Sequence, residues 1–176
     1  PPKLVAKTGH VPLYSGLRKV PPSLRRALMC FLLSTAVRSL REAGPTFNSM
    51  LIHVVRFTNV QGVVKEEVEK ELGTIVSRLQ FGDGSRSPSL LDELRDLWEK
   101  DYVVTTAAFG PEHELPAWKE VAASLPKVSS TIVVRGINGS ALDALDYELH
   151  HDTGLNIIAI GGDKLSRGLT LEGLTV

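Results

Sequence analysis

The chain has 176 residues, of which 43% are hydrophobic, and its 20 basic and 20 acidic residues leave no net charge. This composition is typical of one soluble globular domain with a sizeable core. The longest apolar stretches, such as residues 28–33, are far shorter than the roughly 20 residues that a membrane span needs, so no transmembrane helix is expected.

The first residue and the single cysteine indicate a cellular setting. Pro1 is neither a methionine nor part of a charged and apolar leader, which predicts a piece of a longer protein without a signal peptide. Cys30 lies within an apolar helical pattern, so we expect a buried, inert thiol rather than a nucleophile. A cytoplasmic location fits both observations.

Charge is distributed unevenly along the chain. Residues 1–56 hold nine Lys or Arg and one acid, Glu42, whereas residues 57–176 hold eleven basic and nineteen acidic residues. A basic segment can attract a polyanion such as nucleic acid. The two oppositely charged parts can equally attract each other, and the pattern does not decide between these interpretations.

The first half of the chain predicts an arm, a helix, a strand and a second helix. Pro22 and Gly44 flank a broad apolar stripe and are the expected punctuation of a helix. Valine and leucine then recur at steps of three and four with acids between them, as in an amphipathic helix. The predicted elements are an extended arm at 1–21, a buried helix at 23–43, a strand at 49–56 and a helix at 60–79.

The remainder of the chain predicts three more helices and two more strands. The predicted elements are a loop at 81–88, helices at 89–100, 116–125 and 141–150, strands at 128–135 and 156–160, and an unassigned stretch at 102–109. Strands that alternate with helices favour an α/β fold with a parallel sheet covered on both faces, a three-layer arrangement. Residues 82–126 are interpreted as a helical insertion within a domain that spans 22–176.

The last predicted strand leads directly into GGDKLSRGLTLEGLTV. Gly161 and Gly162 stand where that strand ends, at the edge where open α/β sheets bind ligands. Lys164, Ser166 and Arg167 offer donors suited to phosphate, and Asp163 offers an acceptor. A tight connection without any ligand explains the two glycines as well. Neither the phosphate-loop signature nor G-x-G-x-x-G occurs in the chain.

Residues 161–174 (GGDKLSRGLTLEGL) resemble the signature of the Z-one (Z1) domain, an endonuclease-type family attached to superfamily II helicase-like ATPases. SMLIHVVRF at 49–57 and the approach at 147–160 are similar to other parts of that family, in the same order. The same terminal stretch resembles helicase motif V, with Ser166-Arg167-Gly168 in place of Ala-Arg-Gly. Gly162 and Thr170 depart from that motif, since a threonine and an aspartate stand there in helicases.

The resemblance implies the second RecA-like domain (P-loop NTPase-like) of a two-domain motor that acts on DNA in restriction or phage defence. Its implied nucleotide-binding residues are Gly161, Gly162, Asp163, Lys164, Ser166, Arg167 and Gly168, and its implied nucleic-acid contacts are Arg56, Thr58, Gly136, Asn138 and Thr170. ATP and Mg²⁺ are implied for the full-length protein, whose amino-terminal ATP-binding domain would be the partner of this one.

The family continues beyond this signature into arginine fingers, and here the chain stops at Val176. We therefore expect a domain truncated at its carboxyl end, with no ATP bound or hydrolysed by the fragment alone. Two other functions remain open. One is a non-catalytic module that binds protein or nucleic acid, and the other is a Mg²⁺-dependent endonuclease. No membrane or small-molecule partner is expected.

Other chemistry-bearing residues predict structural roles. No lysine follows an acid at the spacing of the common [DE]-x-K nuclease motif. His150, His151 and Asp152 are adjacent in sequence and so make a poor chelate, and no metal site is assigned. We expect His53 to be a core histidine. Trp98 and Trp118 are predicted to pack in the core, although an exposed tryptophan could stack on a base.

Overall fold

A computed structural model describes residues 10–42, 44–110, 113–137, 147–162 and 171–176. The helices are α1 (Pro22–Arg41), α2 (Thr58–Phe81), α3 (Leu90–Leu97), α4 (Val104–Phe109) and α5 (Trp118–Ser129), and the strands are β1 (Phe47–His53), β2 (Ile132–Ile137) and β3 (Leu155–Gly161). A π-helical turn, Trp98–Val103, joins α3 to α4, and a short 3₁₀ helix spans Glu148–His150.

Most elements are helices or strands where the sequence predicted them. The helix predicted at 23–43 is α1, and the helix predicted at 60–79 is α2. The strand predicted at 128–135 begins four residues late, because α5 continues through Pro126 to Ser129 before β2 starts. The unassigned stretch 102–109 is helical, since α3 runs through the π-turn into α4.

The three strands form one parallel sheet in the order β1-β3-β2. Residues 173–176 extend it beyond β1, where the Leu51 N–H donates to the Val176 carbonyl at 2.9 Å. Gly173 has a φ of +63°, and a Cβ there would overlap the carbonyl oxygen of Phe47, so glycine is required for this approach. The small mixed α/β architecture with a parallel sheet is therefore confirmed.

Helices cover one face of this sheet in the described part of the chain. Met50, Ile158 and Val134 occupy one level of that face and join the main hydrophobic core with α1, α2, α3 and α5. On the other face Ala159 packs with Leu51 and Leu171 in a separate small cluster. The predicted helix at 141–150 lies outside the described residues as far as residue 146, so the third layer remains a prediction.

The helices are tied together by ion pairs that connect the basic and acidic parts of the chain. Arg25 pairs with Glu71 at 2.9 Å and with Glu93 at 2.5 Å. Within the acidic part itself, Arg78 contacts Glu93 and Asp83. Other pairs across the two parts are Arg18 with Glu66 and Glu67, and Arg26 with Asp101. The described structure thus favours internal attraction as the explanation of the uneven charge.

An aromatic cluster fills the space between α1 and the middle helices. Trp98 is buried, stacks on Tyr102 at 5.4 Å between ring centroids and contacts Trp118 at 5.9 Å, so the packing role predicted for both tryptophans is confirmed. The Tyr102 hydroxyl donates to the Cys30 carbonyl at 2.6 Å. Partial burial raises the pKa of the Cys30 thiol, which keeps it protonated and unreactive.

Candidate functional site

The carboxyl ends of the three strands lie side by side. Gly161 at the end of β3 pairs with His53 of β1 on one side and with Ile137 of β2 on the other. β3 is the central strand, so its glycine turn emerges in the middle of this edge. The sequence places the turn correctly at the ligand edge of an α/β sheet.

Gly162 is packed against the connection between β1 and α2. A Cβ on Gly162 would lie 2.8 Å from Gln61 Nε2, 2.9 Å from the Val55 carbonyl oxygen and 3.0 Å from Arg56 Cα. The Val54 N–H also donates to the Gly161 carbonyl at 2.8 Å. Glycine is thus needed here for close contact with the protein itself, and the same contact fixes the turn of β3 to the start of α2.

Gln61 takes part in this contact with Gly162, and the sequence did not predict that role. Its side chain is 7% exposed, and Nε2 donates to the Val55 carbonyl at 3.0 Å. Oε1 is buried without a hydrogen-bond partner in the structure as described. The signal was available, because Gln61 falls three and seven residues before Val64 and Val68, on the stripe of α2 that faces the core.

The start of α2 carries two of the predicted nucleic-acid contacts, Arg56 and Thr58. Both are exposed, and the Arg56 guanidinium lies over the Phe57 ring, 5.4 Å from its centroid. Phe57 provides no side-chain cap, and the first turn of α2 contains no acid. The positive end of the helix dipole and a cation therefore face the same edge as the glycine turn, which suits a phosphate group.

Gly136 lies one residue before the end of β2 but faces the helices. A Cβ there would lie 3.5 Å from Cδ of Lys65, whose ammonium pairs with Glu69 at 2.5 Å. The structure therefore places Gly136 beneath α2, whereas Arg56 and Thr58 lie at the exposed edge. His53 is exposed at the end of β1, so the prediction of a core histidine is wrong.

The remaining predicted site residues lie outside the described part of the chain. These are Asn138, Asp163, Lys164, Ser166, Arg167, Gly168 and Thr170. The structure shows only how the segment that contains most of them begins and ends. It begins at Gly162, and it ends at residues 171–176, which return to the opposite edge of β1.

Residues 171–176 are held against β1 by side chains that the sequence did not predict to be functional. The buried Ser49 hydroxyl donates to the Glu172 carbonyl at 2.7 Å, and the Glu172 N–H donates to the Tyr147 hydroxyl at 3.2 Å. The Tyr147 ring packs edge-on against Phe47 at 5.3 Å. The described chain is therefore anchored at the carboxyl end of the central strand by Gly162 and along the outer side of β1 by residues 171–176.

The described residues contain no group of three His, Cys, Asp or Glu side chains arranged to hold a metal ion. His151 hydrogen-bonds to Asp152 at 3.2 Å, and both side chains are exposed. None of the described helices is long and apolar enough to cross a bilayer.

Comparison with known proteins identifies one family. The family model described as the Z1 domain matches residues 23–176. No curated protein and no solved structure matches the chain.

Proposed function

This chain belongs to the Z1 domain family, and from that membership we propose that it is the second RecA-like domain of a superfamily II helicase-like protein that processes DNA at the expense of ATP. The parent protein acts in the cytoplasm, in restriction or phage defence. In such motors the second domain closes over a nucleotide held by the first and so couples the nucleotide state to strand movement.

The observation that carries this proposal is the contact between Gly162 and the start of α2. A turn that leaves the central strand is locked to Val55, Arg56 and Gln61 with no room for a methyl group. Any displacement of the turn must therefore move the beginning of α2, which presents Arg56 and Thr58 to the same edge. This is the connection that a coupling element needs between nucleotide and nucleic acid.

The residues around this edge fit a phosphate-bearing ligand. The α2 start has no acid in its first turn, and no carboxylate of the described chain pairs with Arg56. Lys164, Ser166 and Arg167 add donors, and Asp163 an acceptor, immediately after the turn. In the parent protein, Mg²⁺-bound ATP held by the amino-terminal domain would supply the free energy of phosphoryl transfer.

The test uses DNA binding by the chain and ATP hydrolysis by the parent protein. Arg56→Gln should weaken duplex binding and reduce the slope of log affinity against log salt by about 0.9. Lys127→Gln is the matched control, because Lys127 is an exposed cation far along the chain on α5. In the parent, Asp163→Ala should abolish DNA-stimulated hydrolysis. The proposal is contradicted if Arg56→Gln and Lys127→Gln have the same slope of log affinity against log salt. It is also contradicted if Asp163→Ala leaves DNA-stimulated ATP hydrolysis undiminished.

A second candidate, the non-catalytic interaction module, is favoured by the ion pairs of the amino-terminal part. Arg18, Arg25 and Arg26 are engaged with acids of α2 and of the middle helices, so they contribute little free charge for DNA. A parent protein without a phosphate loop upstream and paired arginines downstream of this chain would establish this candidate instead.

A further inference from the structure

The second half of α2 carries an exposed concave surface that the strand-end site does not include. It encloses about 570 Å³ and is lined by Lys70, Thr74, Ser77, Phe81 and Arg86, together with Arg78 and two glycines. We call it the α2 surface. None of the described residues that line it is acidic.

Phe81 gives this surface an unusual feature for a folded protein. Its side chain is 85% exposed at the last position of α2, and it makes no aromatic contact within the described chain. Burial of an aromatic ring in the core is strongly favourable, so a ring left in water beside cations is available to a partner.

The positive charge of the α2 surface comes from two residues. Arg78 is engaged with Asp83 and Glu93, whereas no carboxylate in the described chain lies within ion-pair distance of Lys70 or Arg86. The Leu90 N–H and Arg78 hold the Asp83 carboxylate and lower its pKa, and the charge of Arg86 contributes least to this lowering.

The acids on the neighbouring turns of α2 are also engaged. Glu66 and Glu67 pair with Arg18, Glu69 pairs with Lys65, and Glu71 pairs with Arg25. The two cations of the α2 surface are therefore not compensated by these carboxylates. An anionic partner matches this charge.

We propose that the α2 surface binds single-stranded nucleic acid, with one base stacked on Phe81 and phosphates of the same strand at Lys70 and Arg86. An aromatic ring beside cations is the arrangement on which single strands stack, because a duplex keeps the faces of its bases hidden. The negative end of the helix dipole falls at Phe81, where the partner group is a neutral base. Lys70 lies about three turns earlier, or about 16 Å along the helix axis.

This inference does not depend on the proposed motor function. The α2 surface begins about 18 Å from the first residue of α2 and extends to its far end, away from Arg56 and the glycine turn. A module without motor activity could use it in the same way, and a motor could lack it.

The experiment is fluorescence anisotropy of a labelled oligothymidylate titrated with the whole chain at several salt concentrations. Phe81→Leu should weaken binding about five- to hundred-fold and leave the salt slope unchanged, because stacking carries no charge. Lys70→Gln combined with Arg86→Gln should reduce the slope by about 1.4. All three residues are exposed, so thermal unfolding should be unaffected.

Three controls keep the outcomes distinct. Lys119→Gln removes an exposed cation from α5 and should change nothing, and Arg56→Gln tests the strand-end site separately. Binding that responds to Arg56→Gln but not to the α2 surface variants overturns this inference and leaves the motor proposal standing. Equal competition by polyglutamate, with no effect of Phe81→Leu, also overturns it, since the surface would then bind anions without recognising bases.

Discussion

The helical layer and the carboxyl edge of the sheet use arginine in opposite ways. Arg25 and Arg78 lie between helices, and each contacts two carboxylates. Among the described residues, Arg56 at the sheet edge pairs with no carboxylate; it lies over the Phe57 ring and is exposed. The number of basic residues in a segment therefore says little about binding, because tertiary pairing decides which charges remain available.

The largest expected effect breaks the helical layer at Glu93, which joins Arg25 and Arg78. Glu93→Gln leaves two largely buried guanidinium groups with one carboxylate fewer, and we expect a loss of about 2 kcal/mol in the free energy of unfolding. Asp96→Asn is the matched control, because the side chains of Asp96 and its partner Lys100 are 59% and 72% exposed. Its cost should stay below about 0.5 kcal/mol in urea unfolding. Equal losses would contradict the larger contribution of the pairs that lie between helices.

The next effect concerns the carboxyl edge. Gly162→Ala places a methyl group against Gln61 and Val55 and should cost about 1–3 kcal/mol. Gln61→Ala removes one of the obstructing groups. The double variant should therefore lose less free energy of unfolding than the two single variants lose together, by more than about 0.5 kcal/mol. Urea unfolding of the four proteins measures this coupling. Additive losses would show that the turn and α2 are not in contact.

The smallest effect is a pH dependence confined to the helical layer. The Leu90 N–H and then Arg78 lower the pKa of Asp83 below its ordinary value of 3.8. A lowered pKa means that Asp83 stabilises the fold above about pH 4 and that this contribution disappears as the pH falls through the folded pKa. Asp83→Asn should therefore flatten the acid limb of stability measured by urea unfolding. Asp152→Asn, at an exposed position, should leave that limb as steep as in the unchanged chain.

Periodicity in the sequence predicted the helical elements well and the candidate site partly. The apolar stripes of α1 and α2 gave their position within a few residues, since both helices bury one face. The end of α5 was missed because Pro126 lies inside the helix instead of ending it. His53 was misplaced because its apolar neighbours in β1 indicate burial, whereas the last residue of a strand can turn to solvent.

By itself, the sequence determined the α/β class, the parallel sheet and the position of the glycine turn, because these follow from local periodicity and from the need of parallel strands for crossover helices. Only the tertiary structure decided that Gly162 contacts Gln61, that Ser49 and Tyr147 hold Glu172, and which cations remain unpaired. Each of these depends on atoms far apart along the chain, and no local pattern records which distant groups meet.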